Sequence, residues 1–129
     1  MDAKQVGLWI RVSSDMQVEA DSPEVHLKRA QDYCADRGFE VAEVYRLDAV
    51  SGKAIWDLPI AQKMRHDVEK GRIKALIFTD LERLGRNALE LLKFEKHFKE
   101  HGAYLICIAD DELIDTSTGA GVLLHVLSW

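Results

Sequence analysis

The chain has only two prolines and two cysteines among its 129 residues, and it has no long apolar run. Cys34 and Cys107 lie far apart and form no CxxC pair, which excludes a disulfide scaffold and a zinc-ribbon arrangement. They read as free, buried thiols of a protein in the reducing cytoplasm. No basic start followed by an apolar stretch marks a secretory leader. The longest apolar segments are too short to span a bilayer as a helix. Positive charge is also in deficit. Seventeen Lys and Arg face twenty-two Asp and Glu, a formal net charge of −5. A broadly cationic surface, the electrostatic footprint of strong nucleic-acid binding, is therefore excluded for these residues taken alone.

What the chain does contain suits one compact fold. Hydrophobic residues make up 47% and charged residues 30%, an ordinary balance for a globular domain that can bury its own core. Residues 6–12 (VGLWIRV) read as a strand rich in strand formers. Residues 22–37 open with Ser-Pro, carry Val25, Leu27, Ala30 and Tyr33 at roughly helical spacing, and end before Gly38. A second strand is expected over 39–47, a loop over 48–56 and a helix over 58–70 closed by Gly71. A buried strand follows at 73–79, then a turn. The helix expected at 87–101 starts with Asn87 and Glu90 spaced as a capping box. Leu89, Leu92, Phe94 and Phe98 are expected to form its apolar face, and Gly102 to end it. A fourth strand is expected at 103–109, a polar loop at 110–117, and Thr118 as the N-cap of a last helix. Four strands alternating with helices predict an α/β fold with a mainly parallel sheet and right-handed crossovers.

In such folds chemistry collects beyond the C-terminal ends of the strands. Arg11 and Ser13 leave the first strand two residues apart, so both can face one pocket. Residues 48–53 follow the second strand. Residues 80–87 follow the third and place Arg83 and Arg86 three apart, on one face if the turn is helical. A serine with three arginines suggests phosphate chemistry. Guanidinium groups stay charged and bind phosphate oxygens two at a time, and phosphoryl transfer depends chiefly on positioning and charge stabilisation. No histidine lies near Ser13 in sequence to support a Ser-His-Asp arrangement. Ser51-Gly52-Lys53 is not a Walker loop, because Leu47 stands where that loop needs glycine and Ala54 follows the lysine. Gly119 and Gly121 lack the third glycine of a dinucleotide fingerprint. The acidic run 110–115 reads as a solvated loop rather than a metal site.

Together and in this order, the segments resemble the serine recombinases: resolvases, invertases and large serine integrases. Trp9-Ile10-Arg11-Val12-Ser13-Ser14-Asp15-Met16-Gln17 is similar to the family's Tyr-x-Arg-Val-Ser-Thr-x-x-Gln. Asp48-Ala49-Val50-Ser51-Gly52-Lys53 is similar to Asp-x-x-Ser-Gly-Lys/Arg. Leu81-Glu82-Arg83-Leu84-Gly85-Arg86-Asn87 is similar to Leu-Asp-Arg-Leu-Gly/Ser-Arg-Asn. Ile114-Asp115-Thr116-Ser117-Thr118 resembles the Ile-Asp-Thr-Ser-Thr of the large integrase and transposon branch. The resemblance spans nearly the whole chain and implies a resolvase-like catalytic domain over 1–118. From Gly119 the apolar residues Val122, Leu123, Leu124, Val126, Leu127 and Trp129 read as the opening of the family's long interface helix, cut off in mid-course.

The resemblance implies that Ser13 attacks a DNA backbone phosphate, giving a 5′-phosphoserine and a free 3′-hydroxyl. It assigns Arg11, Arg83 and Arg86 to the phosphate. Gln17 and Asp48 would support the site, and Glu82 takes the place of the family's aspartate. It implies no metal and no cofactor, dimers that pair into tetramers, and a DNA grip residing mainly in other parts of the full-length protein. Trp9 replaces the family's tyrosine and with it that hydroxyl. The stretch 56–59 lacks the arginine of smaller members, with Lys53 and Arg65 both candidates to supply it. Two other readings are open: a non-catalytic oligomerisation module of the same fold, and an unrelated α/β enzyme for a small phosphorylated ligand.

Overall fold

The computed structural model describes residues 5–11, 23–47, 54–85, 87–108 and 112–114, with the backbone alone for Glu82 and for 112–114. The elements are β1 (Gln5–Arg11), α1 (Pro23–Arg37), β2 (Glu40–Leu47), a 3-10 turn (Ile55–Asp57), α2 (Pro59–Glu69), β3 (Ala75–Phe78), α3 (Leu81–Leu84), α4 (Ala88–Glu100), β4 (Tyr104–Cys107) and β5 (Glu112–Ile114). The strands form one sheet in the order β2-β1-β3-β4-β5. The first four are parallel and β5 pairs antiparallel with β4. The mainly parallel α/β architecture is thus the one expected. β5 is an addition, within a stretch expected to be a polar loop. Its three residues pair with Leu105, Ile106 and Cys107, so the backbone of that edge is hydrogen-bonded in spite of the polar sequence around it.

Strand alternation sorts the core into two layers. Val6, Leu8 and Ile10 of β1, with Ala75, Ile77 and Ile106, pack on Ala30 and Cys34 of α1. Trp9, Tyr45, Leu76, Phe78 and Leu105 point to the opposite face, against Met64 and Val68 of α2 and Leu91, Phe94 and Phe98 of α4. Both faces of β1 are covered, which is why its sequence is almost continuously apolar. Gly7 marks a close approach: the register against β2 shifts between Val6 and Gly7, and a Cβ at position 7 would lie 2.6 Å from the Tyr45 ring. A side chain there would displace Tyr45 from the core.

Local signals set the helix ends as expected. Gly38, Gly71 and Gly102 follow α1, α2 and α4 with φ of 75°, 74° and 66°, the left-handed geometry that glycine adopts without strain. Asn87 caps α4 by accepting from the Glu90 amide at 2.9 Å. The faces are less well foreseen. Leu89 is 65% exposed, and Leu91 takes the core position expected of it. Leu92 is only partly buried. In α1, His26, Ala30 and Cys34 are buried, whereas Val25, Leu27 and Tyr33 are only partly covered. Both cysteines are free and buried, and burial pushes the Cys34 thiol up to about 11, far from a reactive thiolate. No helix among the described residues is long and apolar enough to cross a membrane. The expected helix from Gly119 and the domain boundary at 118 lie outside the described residues.

A buried carboxylate ties the edge strand β2 to α2. Asp67 is 2% exposed; it accepts from the Tyr45 hydroxyl at 2.6 Å, from Lys63 Nζ at 3.1 Å and from Arg72 Nη1 at 3.0 Å. Burial alone would raise its pKa, but the hydrogen bonds from Tyr45 and Lys63 and the charges of Lys63 and Arg72 bring it below the usual carboxylate value. The same burial and bond push the Tyr45 hydroxyl pKa up, so it remains a donor. Asp67→Asn is expected to cost about 1–3 kcal/mol at neutral pH, a discounted figure because both cationic partners are about half exposed. A depressed carboxylate pKa stabilises the fold above its unfolded value and loses that contribution as pH falls through the folded one. The difference between wild type and variant should therefore shrink on the acid side of pH 4. Urea unfolding across that range checks this, and a difference that stays constant into acid would contradict it.

Candidate active site at the switch point of the sheet

The chain leaves β1 towards β2 on one side of the sheet, and leaves β3 towards β4 on the other. β1 and β3 are neighbours, so the switch point of the sheet lies between them. Two neighbouring strands whose connections diverge leave a crevice beyond their C-terminal ends, where α/β folds place their ligands. Arg11 is the last residue of β1, and Arg83 lies on the first turn after β3.

The turn after β3 is built by short-range chemistry. Asp80 is the N-cap of α3, its carboxylate accepting from the Arg83 amide at 3.2 Å. Leu81 and Leu84 are 1% and 0% exposed and anchor this single turn in the core. Gly85 ends it in an extended conformation. A Cβ at Gly85 would lie 3.2 Å from the Glu90 Cβ and 3.3 Å from Leu91, so a small residue lets α3 and α4 pack closely. The described helical turn ends at Leu84, and the expected pairing of Arg83 with Arg86 on one face lies outside the described residues.

The carbonyl of Arg83 is a shared acceptor. Trp9 Nε1 donates to it at 3.0 Å and Arg11 Nε at 3.1 Å. Residues 9 and 11 share a face of β1, so two donors from one strand converge on one oxygen across 74 and 72 residues of sequence. The Arg83 side chain is 17% exposed, with Nε 3.9 Å from the Asp80 carboxylate. Trp9 is itself buried, edge-on to Phe94 at 5.6 Å. The tyrosine hydroxyl that Trp9 lacks is matched by a different polar handle, the indole N–H.

Of the residues expected to form the site, the structure thus brings Arg11 and Arg83 together. Glu82 lies on α3, and its side chain is not among those described. Ser13, Gln17, Asp48 and Arg86 lie outside the described residues, as does Lys53. Arg65, the other candidate for the missing arginine, is engaged with its own segment. Its guanidinium lies 4.2 Å from the centroid of the Trp56 ring and donates to the Trp56 carbonyl. Glu90 Oε2 accepts from the Trp56 amide at 3.0 Å, fixing this turn to α4. Sequence reasoning missed two contributors, Trp9 as a donor and Asp80 as the cap that sets Arg83. The second had a local signal, an aspartate three residues before the arginine it holds.

Comparison with known proteins adds to this geometry. Residues 6–128 match the family described as "Resolvase, N terminal domain". The N-terminal catalytic domain of TP901-1 integrase superposes with a TM-score of 0.74 at 26% identity, over 97% of this chain and 92% of that one. A resolvase family site-specific recombinase from Streptococcus pneumoniae gives 0.76 at 25% identity, over 96% of this chain and 85% of that one. The C-terminal catalytic domain of ISC1926 TnpA, an IS607-like serine recombinase, shares the fold, with a TM-score of 0.67 at 23% identity over 81% of this chain and 70% of that one. No curated protein matches the chain significantly.

Trp9→Phe tests the shared acceptor. It keeps an aromatic ring against Phe94 but removes the donor to a partly buried carbonyl that Arg11 still contacts. A loss of about 1–2 kcal/mol in unfolding free energy is expected. An unchanged denaturation midpoint would show that the indole bond contributes nothing in solution.

Proposed function

This chain belongs to the resolvase family as its N-terminal domain, and we propose that it is the catalytic domain of a site-specific serine recombinase that cuts and rejoins DNA through Ser13. One observation carries the reading: at the switch point of the sheet the Arg11 guanidinium donates to the backbone carbonyl of Arg83, and Ser13 follows Arg11 by two positions in the sequence.

In the proposed reaction the Ser13 Oγ attacks a backbone phosphorus. The bond from phosphorus to the 3′ oxygen breaks, a phosphoserine ester forms on the 5′ side, and the leaving 3′ oxygen takes up a proton. Rejoining is the reverse, with a 3′-hydroxyl attacking the ester. The number of phosphoester bonds is conserved at each step, so the chemistry needs no ATP. Arg11, Arg83 and Arg86 bind the non-bridging oxygens and stabilise the charge that grows on them in the transition state. The Arg83 carbonyl holds Arg11 by Nε, which sets the plane of its guanidinium before substrate arrives. Asp80 acts one step further back as a positioning residue, by capping the turn that carries Arg83. Gln17, Asp48 and Glu82 are assigned to support the nucleophile and its phosphate. Lys53 is the better candidate for the additional cation, because Arg65 is bound to Trp56.

Recombinases of this family act on DNA as oligomers. For this protein we assign dimers that pair into tetramers, with the interface helix starting at Gly119 after a catalytic domain over 1–118. The buried, free cysteines fit a reducing cytoplasm. The net charge of −5 assigns most of the DNA affinity to segments other than these 129 residues. A non-catalytic module of the same fold is not favoured, since the serine and all three arginines are present.

Ser13→Ala in the full-length recombinase should reduce strand cleavage and covalent protein–DNA adducts to background while leaving DNA affinity nearly unchanged. Continued cleavage by that variant, read on a denaturing gel, would refute the assignment. The 129-residue chain alone should bind duplex DNA no better than the roughly 10⁻⁶–10⁻⁴ M of non-specific contacts at physiological salt. A tight, sequence-selective gel shift would contradict the division of labour.

A further inference from the structure

Glu69, His97 and His101 stand at the end of the molecule away from the strand exits that carry Arg11 and Arg83. Glu69 is the last residue of α2, His97 lies in the final turn of α4, and His101 caps α4. Both helices run back from the C-terminal edge of the parallel strands, so their ends lie at the opposite edge. One potential ligand atom from each of the three side chains lies within 4.8 Å of the others. His97 Nε2 is 3.7 Å from Glu69 Oε2, and the two imidazole rings are 4.4 Å apart between centroids, tilted by 38°.

We propose that these three residues form a binding site for one zinc-class divalent cation that clamps the C-terminal end of α2 to that of α4. Two imidazoles and one carboxylate are a zinc donor set, which leaves a fourth position for water. The spacing of four residues puts His97 and His101 on the same side of α4, and Glu69 faces them from the neighbouring helix.

The ring of His101 is already oriented for the task. Its Nδ1 lies 2.8 Å from the carbonyl of His97 and, since a carbonyl only accepts, Nδ1 carries the proton. The lone pair of the neutral ring is then on Nε2. A backbone carbonyl fixing the tautomer in this way is a recurring support for histidine ligands. His97 is braced in place, its ring meeting Trp56 at 5.8 Å and Phe98 at 6.3 Å. Its Nε2 has a long contact, 3.4 Å, to the carbonyl of Arg65, which it would exchange for the ion through the other ring tautomer.

Closing the set to the spacing of about 3.3 Å required by bonds near 2.0 Å asks for movements of roughly 1 Å. His101 and Glu69 are exposed and free to make them, while His97, at 11% exposure, stays put. The setting also favours a cation, because the negative ends of two helix dipoles meet there. The neighbouring positive charge of Arg65 opposes this, and it is drawn over Trp56 by ring stacking and by its bond to the Trp56 carbonyl. So placed, the ion has no part in strand cleavage; it cross-links two helices that pack on the same face of the sheet.

Thermal unfolding of the 129-residue chain with zinc chloride in a non-chelating buffer is the test, alongside competition against a chromophoric chelator. Zinc at about a hundredfold excess over its Kd should raise the midpoint by on the order of 5–10 °C. Magnesium, which prefers oxygen ligands, should leave it unchanged. His101→Ala and Glu69→Gln, both surface changes, should each weaken zinc binding by roughly tenfold or more. His66→Ala, an exposed histidine of α2 outside the cluster, should respond as wild type does. A wild-type midpoint indifferent to zinc, or a full zinc response from His101→Ala or Glu69→Gln, would overturn the site.

Discussion

One carbonyl oxygen organises the end of the sheet where chemistry is expected. Arg83 presents it after a single helical turn, and Trp9 and Arg11 of β1 both donate to it. The arrangement depends on several smaller decisions. Asp80 has to cap the turn, Leu81 and Leu84 have to sink it into the core, and Gly85 has to let α4 approach. Without that turn the Arg83 carbonyl would not be held in place for Arg11, and the Arg11 side chain would keep more of its rotamer freedom. With it, the Arg11 guanidinium is ordered when the protein folds.

The supporting structure is divided by face. The buried side chains of the layer against α1 are aliphatic apart from Cys34, with Tyr33, Phe39 and Tyr104 packed at its margin. The layer against α2 and α4 carries the large aromatics, Trp9, Tyr45, Phe78, Phe94 and Phe98, together with the buried polar links of Tyr45 to Asp67 and Trp56 to Glu90. This second layer is one in which position is specified by directional bonds as well as by packing. It is also the layer that underlies Arg83, and at its far end α2 and α4 bring Glu69, His97 and His101 together. The proposed active site and the proposed cation site thus lie at opposite ends of the sheet. An ion at that end would tie α2 to α4 far from the strand exits that carry Arg11 and Arg83.

Much of this was legible in the residues. Strand periodicity, three glycines at helix ends and the Asn87 cap gave the order of elements, because these signals act over a few residues and do not wait for tertiary contacts. Family motifs around Arg11 and Arg83 pointed to one site. The errors have a common origin. Leu89 was expected inside and Leu91 was not, because helical spacing tells which residues share a stripe but not which of two adjoining stripes faces the sheet. The three residues of β5 sit in a polar stretch and owe their strand form to pairing with β4.

The sequence by itself determined the fold class, the ends of α1, α2 and α4 and the family, since each is written in local pattern and in motifs of fixed spacing. Only the tertiary structure decided which groups meet. The indole of Trp9 became a donor to Arg83, Arg65 was drawn to Trp56, and two histidines of α4 found Glu69 of α2. The physical reason is the same each time: these contacts join residues that are neighbours only after the helices have docked on the sheet, and no short-range pattern encodes where a docked helix will set its side chains.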